Sequence, residues 1–139
     1  MSATELAVEL ERLFAALVRE GARLGYEETV PLSATQRAAL TVVVDEGPLR
    51  LGALADALAT TDATATRTVQ ALERLGLVER TPDAADGRGV RIFATADGRR
   101  LVARVRRRAE QIVARLVPEE ADRERLARLL RELAGAVAR

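Results

Sequence analysis

Apolar residues recur every three or four positions from Thr4 to Leu24. Leu6, Leu10, Leu13, Phe14, Leu17 and Val18 share one stripe, while Glu5, Glu9, Arg12, Arg19 and Glu20 take the other side. That spacing predicts an amphipathic helix. Gly21 and Gly25 loosen its end, and Tyr26 to Leu32, which contains Pro31, reads as a connecting loop. Ser33-Ala34-Thr35-Gln36 then matches a capping box, in which a hydroxyl and an amide side chain satisfy backbone donors left orphaned by the first helical turn. A second helix follows to about Glu46, with Ala39, Leu40, Val43 and Val44 inward, and Gly47-Pro48 stops it.

Leu51 to Leu58 predicts a short helix with Leu51, Leu54, Ala55 and Leu58 on one face, broken by Ala59-Thr60. Thr61 caps the next helix, which runs from Asp62 to about Leu75, and Gly76 suits the left-handed conformation that ends it. Its inner stripe is Ala65, Val69, Leu72 and Leu75. Its outer face carries Ala63, Thr66, Arg67, Gln70 and Arg74, with no large apolar group. Leu77 to Thr81 and Val90 to Ala94 alternate as half-buried strands, and the turn formers from Pro82 to Gly89 separate them as a hairpin. Thr95 caps a long helix from Ala96 to Leu116, with Leu101, Val105, Ile112, Val113 and Leu116 apolar. Pro118 interrupts it. Glu119 and Glu120 complement the positive end of a last helix, whose apolar stripe is Leu126, Leu129, Leu130, Leu133 and Val137. The predicted fold is mainly α with a small β-hairpin, without internal repeats.

Composition narrows the chemistry. At 139 residues the chain is one domain, or one domain with a helical extension. Hydrophobic residues make up 48%, yet the apolar runs fall far short of the roughly 18 residues a membrane span needs, so no membrane partner is expected. The amino terminus carries no basic segment ahead of an apolar stretch, and a cytoplasmic setting is expected. Without Cys or His, thiolate and imidazole metal sites, Cys nucleophiles and Ser-His-Asp triads are excluded. Every basic residue is Arg, for which a G+C-rich coding bias is the plain explanation.

The net charge of +1 is unevenly divided. Residues 1–49 hold four Arg against eight acids, residues 50–108 twelve against seven, and residues 109–139 six against six. Positive charge therefore gathers in the middle third, as expected when one module faces a polyanion.

Helix, tight turn, helix and hairpin together make a winged helix-turn-helix. A major groove about 12 Å wide admits one α-helix, whose outer face reads base edges. Residues 62–75 take that role. Arg67 is placed to span O6 and N7 of a guanine, Gln70 to pair with an adenine, and the Thr64 and Thr66 hydroxyls to meet phosphate or a base edge. Thr61, Ala63 and Arg74 complete the expected contact face. On the wing, Asp86, Arg88 and Arg91 join it, with Arg88 aimed at the minor groove. Arg106-Arg107-Arg108 is denser, but it lies on a long helix and reads as a solvated face or a set of pairs with nearby acids.

Two other classes compete. A near-neutral chain also suits a winged-helix module that binds protein without binding DNA. An enzyme lacks a nucleophile-base pair, a metal cluster or a cofactor motif: Gly87-Arg88-Gly89 is no dinucleotide fingerprint, because Ile92 stands where the third Gly belongs.

Leu54-Ala55, Thr61 to Arg67, Val69, Leu72 to Arg80, the wing Asp83-Ala84-Ala85-Asp86-Gly87-Arg88, then Thr95 and Gly98, resemble the MarR family over nearly the whole chain. Two departures stand out. The family's Leu-Thr pair after the wing reads Ala94-Thr95, and Arg50 stands where a helix-capping Thr or Ser is frequent. The resemblance implies a homodimeric regulator, usually a repressor, on a pseudo-palindromic operator, released by a small organic effector. The residues support pairing independently: Leu10, Leu13, Phe14, Leu17, Leu126, Leu129, Leu130 and Leu133 leave much apolar surface for a chain this small to bury alone. Their consumption inside one monomer is the alternative. The expected organisation is an N-terminal dimerisation helix and loop at 1–32, the winged helix-turn-helix at 33–95, and C-terminal dimerisation helices at 96–139. No cofactor is expected.

Overall fold

The computed structural model describes residues 1–23, 32–83, 85, 87 and 89–137. In chain order its elements are α1 (Ala3–Arg23), α2 (Ala34–Glu46), β1 (Leu49–Arg50), α3 (Leu51–Ala57), α4 (Asp62–Arg74), β2 (Val78–Pro82), β3 (Val90–Ala94), α5 (Ala96–Leu116) and α6 (Glu120–Val137). The chain divides into two compact units, one of Met1–Pro31 and Val105–Arg128, the other of Leu32–Arg104 and Leu129–Arg139. The connecting loop expected at Tyr26 to Leu32 lies, up to Pro31, outside the described residues.

In the second unit, α2 starts where the capping box places it. The Ser33 hydroxyl accepts the Gln36 amide proton and Gln36 Oε1 accepts that of Ser33, both at 3.1 Å. Helices α3 and α4 then end in the same way. After α3, the Thr60 amide donates to the Ala55 carbonyl at 3.0 Å and the Ala59 amide to that of Asp56 at 3.1 Å. After α4, the Leu77 amide donates to Leu72 at 3.0 Å and the Gly76 amide to Glu73 at 2.9 Å. Both are Schellman motifs with a left-handed residue at the turn. Gly76 has φ +72 and meets this requirement without strain; Ala59, at φ +50, carries a Cβ there.

The wing is a three-stranded antiparallel sheet of order β1-β3-β2, where sequence spacing predicted two strands. The added strand pairs Leu49 with Ile92 and Arg50 with Arg91, and β2 pairs with β3 from Val78 with Ala94 to Pro82 with Val90. Two residues are too short for any periodicity, so β1 left no signal. Leu40 and Val43 of α2, Leu54 of α3, Val69 and Leu72 of α4, Val78 of β2 and Ile92 of β3 are fully buried and form the core. Each such side chain contributes roughly 1.5–3 kcal/mol relative to exposure.

The apolar positions differ in how far they are buried. Leu75 is 53% exposed, because as the residue before the left-handed Gly76 it lies where the chain leaves the helix; the buried Leu77 takes the inner position. Val44, Leu51, Leu58 and Val105 are half-buried, while Val113 and Leu116 are exposed. Thr95 caps α5 as expected: its hydroxyl accepts the Gly98 amide at 3.1 Å and donates to the Gly76 carbonyl at 2.7 Å. Gly98 has no room for a side chain. A Cβ there would lie 2.2 Å from the Leu77 carbonyl oxygen and 3.2 Å from Leu40 Cδ1.

In the first unit, Ser2 and Glu5 form a reciprocal cap at the start of α1, with the Glu5 amide 3.1 Å from the Ser2 hydroxyl. The Ser-x-x-Glu spacing is that of a capping box and is legible in the sequence, just ahead of the apolar period that begins at Leu6. Arg115 pairs with Glu20, and Arg123 Nη1 donates to the Val117 and Pro118 carbonyls at 3.0 and 2.7 Å, closing the α5–α6 connection. Among the described residues no helix is long and apolar enough to cross a membrane.

Two substitutions test these turns in opposite directions. Ala59→Gly removes the left-handed penalty and is expected to stabilise the fold by about 1 kcal/mol. Gly98→Ala forces the start of α5 off Leu77 and Leu40 and is expected to cost about 1–3 kcal/mol. Thermal melts of both variants check the signs.

Candidate nucleic-acid interface

Helix α4 is held by its apolar side. Ala65, Thr68, Val69 and Leu72 are buried at the spacing of one helical face, so the rotation of the helix is set. The opposite face is left outward. Ala63, Arg67, Gln70 and Arg74 are exposed there, Thr64 and Thr66 half-buried, and Thr61 exposed at the cap. Thr61 accepts the Thr64 amide at 3.1 Å, as the sequence predicts for an N-cap.

The hydroxyls divide in what they can offer. Thr66 Oγ1 donates back to the Asp62 carbonyl at 2.7 Å, so it presents lone pairs and a methyl group. Thr64 Oγ1 accepts from the Thr61 hydroxyl at 3.1 Å and from Arg67 Nη2 at 3.4 Å, leaving its own proton to donate. Among the described residues Arg67 and Arg74 enter no ion pair. Arg80, by contrast, pairs with Glu73 at 2.8 Å, tying β2 to the end of α4.

The base of the wing is organised by Asp83, a residue that sequence reading placed only within a turn. Its side chain is 3% exposed. Oδ2 accepts Arg50 Nη2 at 2.6 Å and Nε at 3.1 Å, and Arg91 Nε lies 3.2 Å away. Oδ1 accepts the Ala85 amide at 3.1 Å, while the Asp83 amide donates to the Gly89 carbonyl at 2.9 Å. The Arg50 guanidinium and the Ala85 amide hold the carboxyl at about 2, down from 3.8, outweighing the opposing effect of burial; Arg91 adds to the lowering. Arg91, expected from the sequence at the DNA, pairs with Asp83 and donates to the Pro48 carbonyl at 3.4 Å, with its side chain 40% exposed. Arg50 and Asp83 stand 33 residues apart, and no local pattern links them. Asp86 and Arg88, the expected wing contacts, lie outside the described residues.

The residues expected at a chain-chain interface are all exposed: Leu10, Leu13, Phe14 and Leu17 on α1, and Leu126, Leu129, Leu130 and Leu133 on α6. Phe14 reaches 70%. A cleft of about 560 Å³ within the first unit is lined by Arg106, Ala109, Glu110, Val113, Ala114 and Arg123.

Residues 30–89 match the MarR family. An uncharacterized HTH-type transcriptional regulator of Mycobacterium leprae is 36% identical over 94 residues, 67% of this chain and 66% of the relative. Two further mycobacterial regulators are matched over 59% of their length. Among solved structures, a MarR family protein from Bacillus stearothermophilus superposes with TM-score 0.70 over 100% of both chains at 25% identity. The S. aureus MepR-DNA complex superposes with TM-score 0.64 over 90% of this chain and 98% of that one at 24% identity, a likeness of fold.

The Asp83 carboxylate makes a pH prediction. Its folded value lies below its unfolded one, so its contribution is present above about pH 4 and is lost as pH falls toward 2. The gap in melting temperature between the native chain and Asp83→Asn is therefore expected to be widest above pH 4 and to close by about pH 2. A gap independent of pH would contradict it.

Proposed function

The chain belongs to the MarR family, and on that premise we propose that it is a sequence-specific regulator of transcription that binds double-stranded DNA as a homodimer. One observation carries the reading: the α4 face bearing Ala63, Arg67, Gln70 and Arg74 is outward, beside a three-stranded wing, while the helix's other face is core. The similar fold of MepR, solved in complex with DNA, supports it.

In this reading α4 enters the major groove. Arg67 reaches guanine O6 and N7 with its two parallel donors, Gln70 pairs with adenine N6 and N7, and the Thr66 methyl meets a thymine methyl. Thr64 and Arg74 bind phosphate, with Thr61 and Ala63 admitting the backbone closely. Arg88, assigned from sequence, enters the minor groove, and Asp86 orients it. Pairing through α1 and α6 covers Leu10, Leu13, Phe14, Leu17, Leu126, Leu129, Leu130 and Leu133, whose exposure supports a second copy. Two-fold symmetry then spaces the reading helices about 34 Å apart on a pseudo-palindromic operator. Repression relieved by a small organic effector completes the proposal; the cleft lined by Arg106, Val113 and Arg123 has the volume of small-molecule sites.

The test is sequencing of duplexes that the purified chain retains from a randomised pool at low salt. Enrichment of a pseudo-palindrome with half-sites one turn apart is expected, and no enrichment at micromolar protein overturns the reading. On the enriched duplex, Arg88→Ala is expected to weaken all sequences and to lower the salt slope by about one unit, whereas Gln70→Ala also relaxes base preference. Phe14→Asp is expected to shift the chain from dimer to monomer in sedimentation.

A further inference from the structure

Antiparallel register sets Arg50 of β1 directly opposite Arg91 of β3, and directly opposed residues share one face of the sheet. Two guanidiniums so placed repel, and Asp83, at the end of the other flanking strand, lies between them. Its buried carboxylate accepts two Arg50 N–H groups on Oδ2, forms an ion pair there with Arg91, and ties the wing loop through Oδ1 and its own amide. Arg50 is also the N-cap residue of α3, where it makes no side-chain capping bond. A Ser or Thr there would cap the helix, worth typically about fivefold in its stability. This chain has instead a residue whose hydrogen bonds go to the wing.

We propose that Arg50, Asp83 and Arg91 form a latch that fixes the wing to the entry of α3, and that Arg50 and Arg91 are positioning residues for DNA binding and not phosphate contacts. The proposal rests on the DNA-binding reading above. Its physical content is that the latch sets the distance between wing and reading helix before DNA arrives, so the ordering cost is met during folding. It also cancels charge: two of the arginines in the basic middle third are engaged by a buried acid, leaving Arg67 and Arg74 as unpaired cations on the α4 face among the described residues.

The experiment uses the full chain with Asp83→Asn, Arg50→Thr and the double variant. Arg50→Thr is chosen because it supplies the missing helix cap while removing the latch. Without DNA, amide hydrogen exchange at Leu49, Arg50 and Val90 to Ala94 is expected to rise about tenfold in every variant, while the Val69 and Leu72 amides stay protected. Unchanged exchange in the wing strands overturns the latch, whatever the chain binds. With the duplex enriched from the randomised pool, affinity is expected to fall about tenfold in each single variant, with the double variant no weaker than the worse single. The slope of log affinity against log salt is expected to stay within about half a unit in Arg50→Thr. A fall of about 0.9 makes Arg50 a phosphate contact and overturns its positioning role, as does full affinity in Arg50→Thr. A native chain that retains no duplex overturns the DNA reading and the latch's role in it, while the exchange result still decides whether the latch exists.

Discussion

The rotation of α4 about its own axis is the constraint on which the rest depends. Each helical residue turns the chain by about 100°, so a shift of one position would bring Arg67 or Gln70 toward the core and Val69 toward solvent. Four buried residues, Ala65, Thr68, Val69 and Leu72, prevent that shift. The outward face is therefore a consequence of packing on the opposite side. The two Schellman turns extend the same control: one sets where α4 begins after α3, the other where the chain leaves it for β2.

Electrostatics follow from this frame. Counting charges along the chain located the basic module, but positive charge is useful to a polyanion only where it is free to be shared. Arg80 is spent on Glu73, and Arg50 and Arg91 on Asp83. These pairs are short-range and partly shielded from solvent, so they shape the wing, while in the proposed reading the arginines that remain exposed on α4 supply the long-range attraction. A net count cannot distinguish the two roles.

The departures from the expected reading have local causes. Leu75 followed the apolar period of α4 but falls at the turn, where a left-handed glycine redirects the chain and Leu77 takes the core position. Strand β1 is two residues long, below what alternation can register, and exists because β3 offers its free edge. The Ala94-Thr95 departure from the family pattern is absorbed: Ala94 is buried, and Thr95 still caps α5 and holds Gly76.

What the sequence determined alone is whatever neighbours decide among themselves. Caps at Ser33, Thr61 and Thr95, the glycine at the end of α4, and the helical stripes depend on contacts within a few residues, so their spacing is visible in the chain. The outward face of α4 belongs to this class, since an apolar stripe on one side implies its complement. Tertiary structure decided what passes between distant segments: the third strand, the fit of Gly98 against Leu77 and Leu40, and the convergence of Arg50 and Arg91 on Asp83. Such contacts leave no period in the chain, because the residues that make them meet only when folding closes the loops between them.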